Sequence, residues 1–208
     1  MTELVPRAVL DAADISEITQ LILRERLSRD LGLWEQMRAC FHEDSRVRLS
    51  WIDASGHEFV HRSQEMASRN VCASHRLGPI LVTLSRDRAI ATLAGIIDIP
   101  LNLQGIDVIL SSHARFLYRT ERRSGRWGIA GFDAIYQRDE INTTLPGQAV
   151  AIDPNAVKGL RPSYRLLAYC IGAEGFPVRD DLAGADRPDL VATLNAEIYG
   201  WAGLTPPT

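Results

Sequence analysis

The spacing of hydrophobic residues changes twice along this chain. Near the N-terminus apolar residues recur every three or four positions, as on one face of an α-helix, and a similar spacing returns after residue 162. Between these regions apolar and polar residues alternate, which is typical of β-strands with one buried face. Helices followed by consecutive hairpin strands predict an α+β fold with an antiparallel sheet.

Three helices are predicted within the first 70 residues. The first begins at Asp14, a suitable N-cap with Glu17 three residues later, and ends near Gly32. A short second helix covers residues 33–41, and a third covers residues 63–70 with Ser63 as its cap. The apolar stripe of the first helix consists of Ile15, Ile18, Leu21, Ile22, Leu23 and Leu27.

The strand pattern begins with Val47, Leu49 and Trp51, which alternate with polar residues. Longer strands are predicted over residues 75–84, 89–101, 106–122 and 127–136. In the strand from residue 106 the even-numbered set should face the core. That set is Ile106, Val108, Leu110, Ser112, Ala114, Phe116 and Tyr118.

The odd-numbered residues of the same strand should lie on its other face. Asp107, His113 and Arg119 are therefore expected to be exposed in an isolated subunit. His113 is better explained as part of a solvated or subunit-facing edge than as a catalytic residue.

The chain changes character after residue 138. Proline and glycine interrupt the pattern, and then two amphipathic helices are predicted near residues 163–171 and 188–201. We expect one domain over residues 1–138 and a C-terminal extension over 139–208, whose helices dock on the domain or on a partner subunit.

Composition excludes several classes of protein. The net charge is −3 and the basic residues are scattered, so no nucleic acid partner is predicted. Three distant cysteines favour neither a disulfide scaffold nor a metal site, and no apolar segment is long enough to cross a membrane. We expect a cytoplasmic protein without cofactor or metal.

Two residues are candidates for acid–base chemistry. Asp30 continues the apolar stripe of the first helix, and His75 opens an apolar strand. An aspartate that fixes the tautomer of a histidine leaves its second nitrogen free to act as a base. The alternatives are an ion pair of Asp30 with Arg26, four residues earlier, and a structural role for His75.

Two further aspartates lie in apolar strands. Asp98 and Asp133 could each place a second carboxylate in a cavity, but a hydrogen-bonded structural role explains both better.

Three segments together resemble the SnoaL-like branch of the nuclear-transport-factor-2-like (NTF2-like) superfamily, which includes scytalone dehydratase. The resemblance rests on their order and spacing between Asp14 and Arg138. The segments are RERLSRDLGLWEQMRACFHEDSRVRLSW, SHRLGPILVTLSRDRAIATLAG and RFLYRTERRSGRWGIAGF.

This resemblance implies an NTF2-like (cystatin-like) cone, in which helices cap a strongly curved sheet around an apolar cavity. It implies that His75 is a general base oriented by Asp30, without a cofactor. Arg29 and Leu49 stand where scytalone dehydratase has tyrosines, and this departure argues against the scytalone reaction itself. The cavity wall is expected to include Leu49, Trp51, Ser112, Ala114 and Phe116.

The function implied is that of a dehydratase-like lyase or isomerase. Its partner would be a small apolar cyclic molecule, and the chain would form a homo-oligomer such as a dimer. The alternative is a non-catalytic ligand-binding or accessory subunit with the same fold.

Overall fold

A computed structural model describes residues 6–207 of the chain. The helices are α1 Arg7–Asp30, α2 Trp34–Arg38, α3 Gly56–Ser68, α4 Arg165–Ala173 and α5 Pro188–Trp201, with a 3₁₀ turn at Pro162–Tyr164 before α4. The strands are β1 Phe41–Leu49, β2 Ile52–Ser55, β3 Ser74–Leu77, β4 Leu81–Ser85, β5 Arg88–Leu103, β6 Ile106–Arg123 and β7 Arg126–Thr143.

The strands form one mixed sheet in the order β2-β1-β7-β6-β5-β3, with β4 also paired to β5. The prediction of a purely antiparallel sheet is wrong at one pairing, since β1 lies parallel to β7. The chain between them passes through α3 and the β3–β6 hairpins, which allows β7 to return in the same direction as β1. The fold is nevertheless the expected cystatin-like α+β arrangement of N-terminal helices on a curved sheet.

Two irregularities interrupt the pairing of the long strands β6 and β7. The register shifts between His113 and Ala114 and again between Arg119 and Thr120. Each shift adds one residue to β7, and such bulges bend a strand and increase its twist.

The main core lies between the inner face of the sheet and α1 to α4. The even-numbered residues of β6 face it, as predicted: Val108, Leu110, Ala114 and Phe116 are all buried. Leu167 and Ile171 of α4 are buried in the same cluster, so the extension closes part of this core. The boundary expected at residue 138 falls within β7, which continues to Thr143.

The outer face of the sheet is covered in part by α5. Ile198 of this helix is fully buried in a second cluster with Ile90, Leu117 and Ile135 of the sheet. Leu117, on the outer face of β6, is 2% exposed because α5 covers it. The expected exposure is confirmed for Asp107 and is wrong for His113 and Arg119, whose side chains are 16% and 11% exposed.

Two predicted helix caps are wrong. Asp14 lies inside α1, where its carboxylate accepts hydrogen bonds from Arg122 and from Trp127 Nε1. Ser55, not Ser63, caps α3, and its hydroxyl accepts the backbone N–H of Glu58 at 3.1 Å. No helix within residues 6–207 is long and apolar enough to span a membrane.

Candidate active site

A cavity of about 40 Å³ lies between the inner face of the sheet and the helices α1, α3 and α4, which is room for a few water molecules. Most of its wall is apolar: Leu49, Trp51, Phe59, Met66, Val71, Ala73, Ile97, Ile99, Phe116, Phe132, Leu167 and Ile171. Its polar lining consists of Arg26, Arg29, Ser50, His75 and Tyr136.

Asp30 and His75 meet at one side of this cavity. Asp30 is the last residue of α1, and His75 lies in β3, where it pairs with Ile97 of β5. The aspartate contacts His75 twice: Oδ1 is 2.6 Å from Nδ1 of the ring, and Oδ2 accepts the backbone N–H at 2.8 Å. These two contacts fix both the position and the rotation of the imidazole.

The electrostatic surroundings keep His75 neutral. Burial lowers the pKa of His75 to about 4; the hydrogen bond to Asp30 opposes this, and the charges of Arg26 and Arg29 add to it. Burial alone would raise the pKa of Asp30, but the hydrogen bonds from His75 outweigh it and hold that pKa below its usual value. At neutral pH an ionised Asp30 accepts Nδ1–H, so Nε2 carries the lone pair.

Arg26 belongs to a buried ion cluster beside the histidine. Its guanidinium forms two hydrogen bonds with the Glu25 carboxylate, which also accepts the Tyr118 hydroxyl at 3.2 Å. Burial would lower the pKa of Arg26, but Glu25 outweighs it and raises the pKa. The alternative pair of Arg26 with Asp30 is therefore not formed; instead Arg26 Nη1 lies 3.4 Å from Nε2 of His75.

Arg29 lines the same cavity one helical turn after Arg26. No hydrogen bond or ion pair joins its guanidinium to any residue between 6 and 207, and its buried Nε has no acceptor. The centroid of the Phe59 ring lies 5.9 Å from its guanidinium carbon. Burial and the charge of Arg26 lower the pKa of Arg29 to about 10, so it remains a cation at neutral pH.

Of the five residues expected on the wall, Leu49, Trp51 and Phe116 line the cavity. Ser112 and Ala114 do not line it, although both are buried on the inner face. The Ser112 hydroxyl instead donates to Asp139 at 2.6 Å, and that carboxylate also accepts the backbone N–H of Leu167 in α4.

Phe116 reaches the wall because β5 has a glycine beside it. A Cβ atom at Gly95 would lie 2.3 Å from the Phe116 ring, far closer than van der Waals contact allows. The absence of a side chain at Gly95 thus lets the aromatic ring lie close to the backbone of β5.

The other candidate carboxylates lie away from the cavity. Asp98 accepts hydrogen bonds from Arg76 and Ser111. Asp133 accepts them from Arg48 and Arg119. Both aspartates therefore have the hydrogen-bonded structural role that was one of the two interpretations of the sequence.

Sequence reasoning did not single out Arg26, Tyr136, Leu167 or Ile171 as parts of the site. A signal existed for the arginines, because positions 26, 29 and 30 share one side of a helix. No local signal places α4 at the cavity, since that contact depends on the path of the C-terminal extension.

The family profile described as a SnoaL-like domain matches residues 11–133, which is more than half of the chain. The chain belongs to the SnoaL-like domain family. Curated relatives of this SnoaL-like protein include a PEP2-like protein and pea pathogenicity protein 2 of Fusarium vanettenii. They are 27% and 25% identical to it, and each alignment covers 81% of this chain and 73% of the relative.

Solved structures agree on the fold. A type 2 hexachlorocyclohexane dehydrochlorinase superimposes with a TM-score of 0.56 at 15% identity, covering 69% of this chain and 97% of that one. A putative scytalone dehydratase from Novosphingobium aromaticivorans gives 0.50 at 17% identity, covering 69% and 94%. Identities this low support a shared fold only, so the chemistry has to be inferred from the residues of the site.

No group of three or more histidine, cysteine, aspartate or glutamate side chains suited to a metal ion occurs within the described part of the chain.

Proposed function

We propose that this SnoaL-like protein is a cofactor-free lyase or isomerase of the dehydratase type, with His75 as its general base. The observation that carries the proposal is the position of His75 on the cavity wall, where Oδ1 of Asp30 lies 2.6 Å from Nδ1 of the ring. This arrangement leaves Nε2 as the only basic atom of the ring.

The chemistry follows from that geometry. Nε2 removes a proton from a substrate carbon. In an elimination, the electron pair of the C–H bond forms a new C=C bond as a leaving group departs. In an isomerisation, the same electron pair shifts toward a neighbouring carbonyl group to give an enolate. Asp30 stabilises the resulting imidazolium without itself becoming protonated. The imidazolium then returns the proton to the departing hydroxide, giving water, or to another carbon of the substrate.

The lining suggests the kind of substrate. Aromatic and aliphatic side chains make up most of the wall, which favours a small ring-containing molecule. Two proteins with a similar fold, a dehydrochlorinase and a putative scytalone dehydratase, are named for elimination chemistry, which is compatible with this proposal.

Proton exchange tests the proposal before the natural substrate is known. Cyclic ketones that bind the protein are incubated in deuterated buffer, and the loss of their α-proton signals is followed by NMR. His75→Asn should slow exchange by about 10²- to 10⁴-fold, as expected for removal of a general base. His113→Asn is the matched control, because His113 lies away from the cavity. Bound ketones that exchange no faster with the wild type than with His75→Asn would refute base action.

A non-catalytic binding protein is the second candidate, and one observation favours it. A histidine whose pKa is about 4 is a weak base before a ligand binds. The cavity volume is about 40 Å³, so either function requires displacement of lining side chains before a ring-sized ligand can bind. This candidate predicts ligand affinity that His75→Asn leaves unchanged, with no exchange in either protein.

We also propose a homo-oligomer in the cytoplasm. Leu27 of α1 and Leu31, directly after the helix, are 59% and 62% exposed, which favours coverage by a second copy. The cysteines of the described residues are all free thiols, as expected in a reducing compartment. Light scattering after size-exclusion chromatography tests the first point, and Leu27→Glu should shift an oligomer toward monomer.

A further inference from the structure

The Arg29 guanidinium is a cation in a mostly apolar cavity, and no carboxylate among residues 6–207 forms an ion pair with it. It has five N–H donors, and none of them reaches an acceptor among residues 6–207. The nearest carboxylate on its own helix, Asp30, is held by two hydrogen bonds from His75.

Other buried or partly buried arginines of this protein are paired. Arg26 binds Glu25, Arg48 binds Asp133 and Glu197, and Arg119 also binds Asp133. Arg29 is partly buried, with its Nε fully out of solvent, and a charge in such a place destabilises the folded state unless it has a partner. The exception at Arg29 therefore indicates a partner that arrives from outside the chain.

We infer that the ligand of this cavity is a carboxylate, and that Arg29 binds its two oxygens while the ring of the ligand lies against the aromatic wall. The planar guanidinium matches a carboxylate in a two-point contact, which Lys does not reproduce. This inference deepens the proposed function and rests on it for catalysis: the anion is the part of the substrate that places a C–H bond at His75.

A bound carboxylate has a second effect on the site. The charge of Arg29 is one of the influences that lower the pKa of His75. A negative charge on the ligand opposes that influence, so His75 becomes a stronger base when the substrate is present.

Benzoate and benzamide form a matched pair of ligands for the test, since they have similar shapes and differ in charge. Ligand-observed NMR gives their affinities for the wild type, Arg29→Met and Arg29→Lys. The wild type should bind benzoate about 10- to 100-fold more tightly than benzamide, as expected for charge-assisted hydrogen bonds. Arg29→Met should abolish this preference, and Arg29→Lys should retain part of it.

Two control variants separate the cavity from other arginines. Arg24→Met removes an exposed arginine of the same helix and should leave the preference for benzoate intact. Arg26→Met leaves Glu25 buried without its partner and should lower the melting temperature, whereas Arg29→Met should maintain or raise it. Equal affinity for the two ligands, no binding of benzoate at millimolar concentration, or a preference that survives Arg29→Met would overturn the inference.

The same measurements distinguish the inference from the proposed function. His75→Asn should keep the preference for benzoate, because Arg29 supplies it. A preference for benzoate without any proton exchange would support the anion site and refute the enzymatic role. Exchange of uncharged ketones without any preference for benzoate would support the enzymatic role and refute the anion site.

Discussion

Acidification should destabilise this protein through His75 before most carboxylates are protonated. The imidazole side chain is 3% exposed and neutral in the folded protein, and it becomes accessible to protons when the chain unfolds. The matched variant is His75→Asn, which retains an N–H group near Asp30 but cannot titrate.

The magnitude follows from the two pKa values of His75, 6.5 in an unfolded chain and about 4 in the folded protein. Between these values the unfolded chain binds a proton that the folded protein does not bind. The free energy of unfolding therefore decreases as the pH falls from about 6.5 to about 4. At about 1.4 kcal/mol for each pKa unit, the loss amounts to about 3 kcal/mol.

Asp30 acts at lower pH than His75. Its pKa lies below 3.8 in the folded protein, so its contribution is lost only as the pH falls through that lower value. Burial raises the pKa of Asp133 and of Asp139, which has the opposite effect on stability. These groups are present in both proteins, so the difference between wild type and His75→Asn isolates the histidine.

Urea denaturation at several pH values between 7.5 and 4 measures the effect. With a slope of about 1–3 kcal/mol per molar urea, the wild-type midpoint should fall by roughly 1–3 M more than the midpoint of His75→Asn. Parallel pH profiles for the two proteins would show that the pKa of His75 is not lowered in the folded state, and would refute this reasoning.

Two further predictions concern packing. Gly95→Ala should lower the free energy of unfolding by about 1–3 kcal/mol in urea denaturation, because the new methyl group overlaps the Phe116 ring. The control is Gly200→Ala in α5, where nothing lies within 4 Å. It should raise the free energy of unfolding by about 0.5–1 kcal/mol. Ile198→Ala should lower the free energy of unfolding by about 2–5 kcal/mol in the same assay, since this fully buried side chain joins α5 to the sheet. The control is Leu145→Ala, at a 60% exposed side chain, which should change the free energy of unfolding by less than about 0.5 kcal/mol. If α5 separated from the sheet in Ile198→Ala and the free energy of unfolding stayed the same, the second prediction would be contradicted.

Periodicity alone predicted the buried side of β6, although Ile15, Leu23 and Leu27 of the stripe predicted on the first helix are exposed. The even-numbered residues of β6 face the core because alternate side chains of a strand point to opposite faces, and an apolar set on one face has to leave water. The helices near residues 163–171 and 188–201 were predicted on the same physical ground, since each has an apolar side. The contact of Asp30 with His75 was predicted from the family resemblance and is present.

Only the tertiary structure decided which partners those faces and charges meet. Local sequence favoured Asp14 as a cap, but its partner Arg122 lies 108 positions away on β6. The parallel pairing of β1 with β7, the coverage of Leu117 by α5 and the unpaired Arg29 are likewise invisible in local patterns. Hydrophobic spacing specifies that a surface must be covered, whereas the identity of the covering group depends on distant segments brought together when the chain folds.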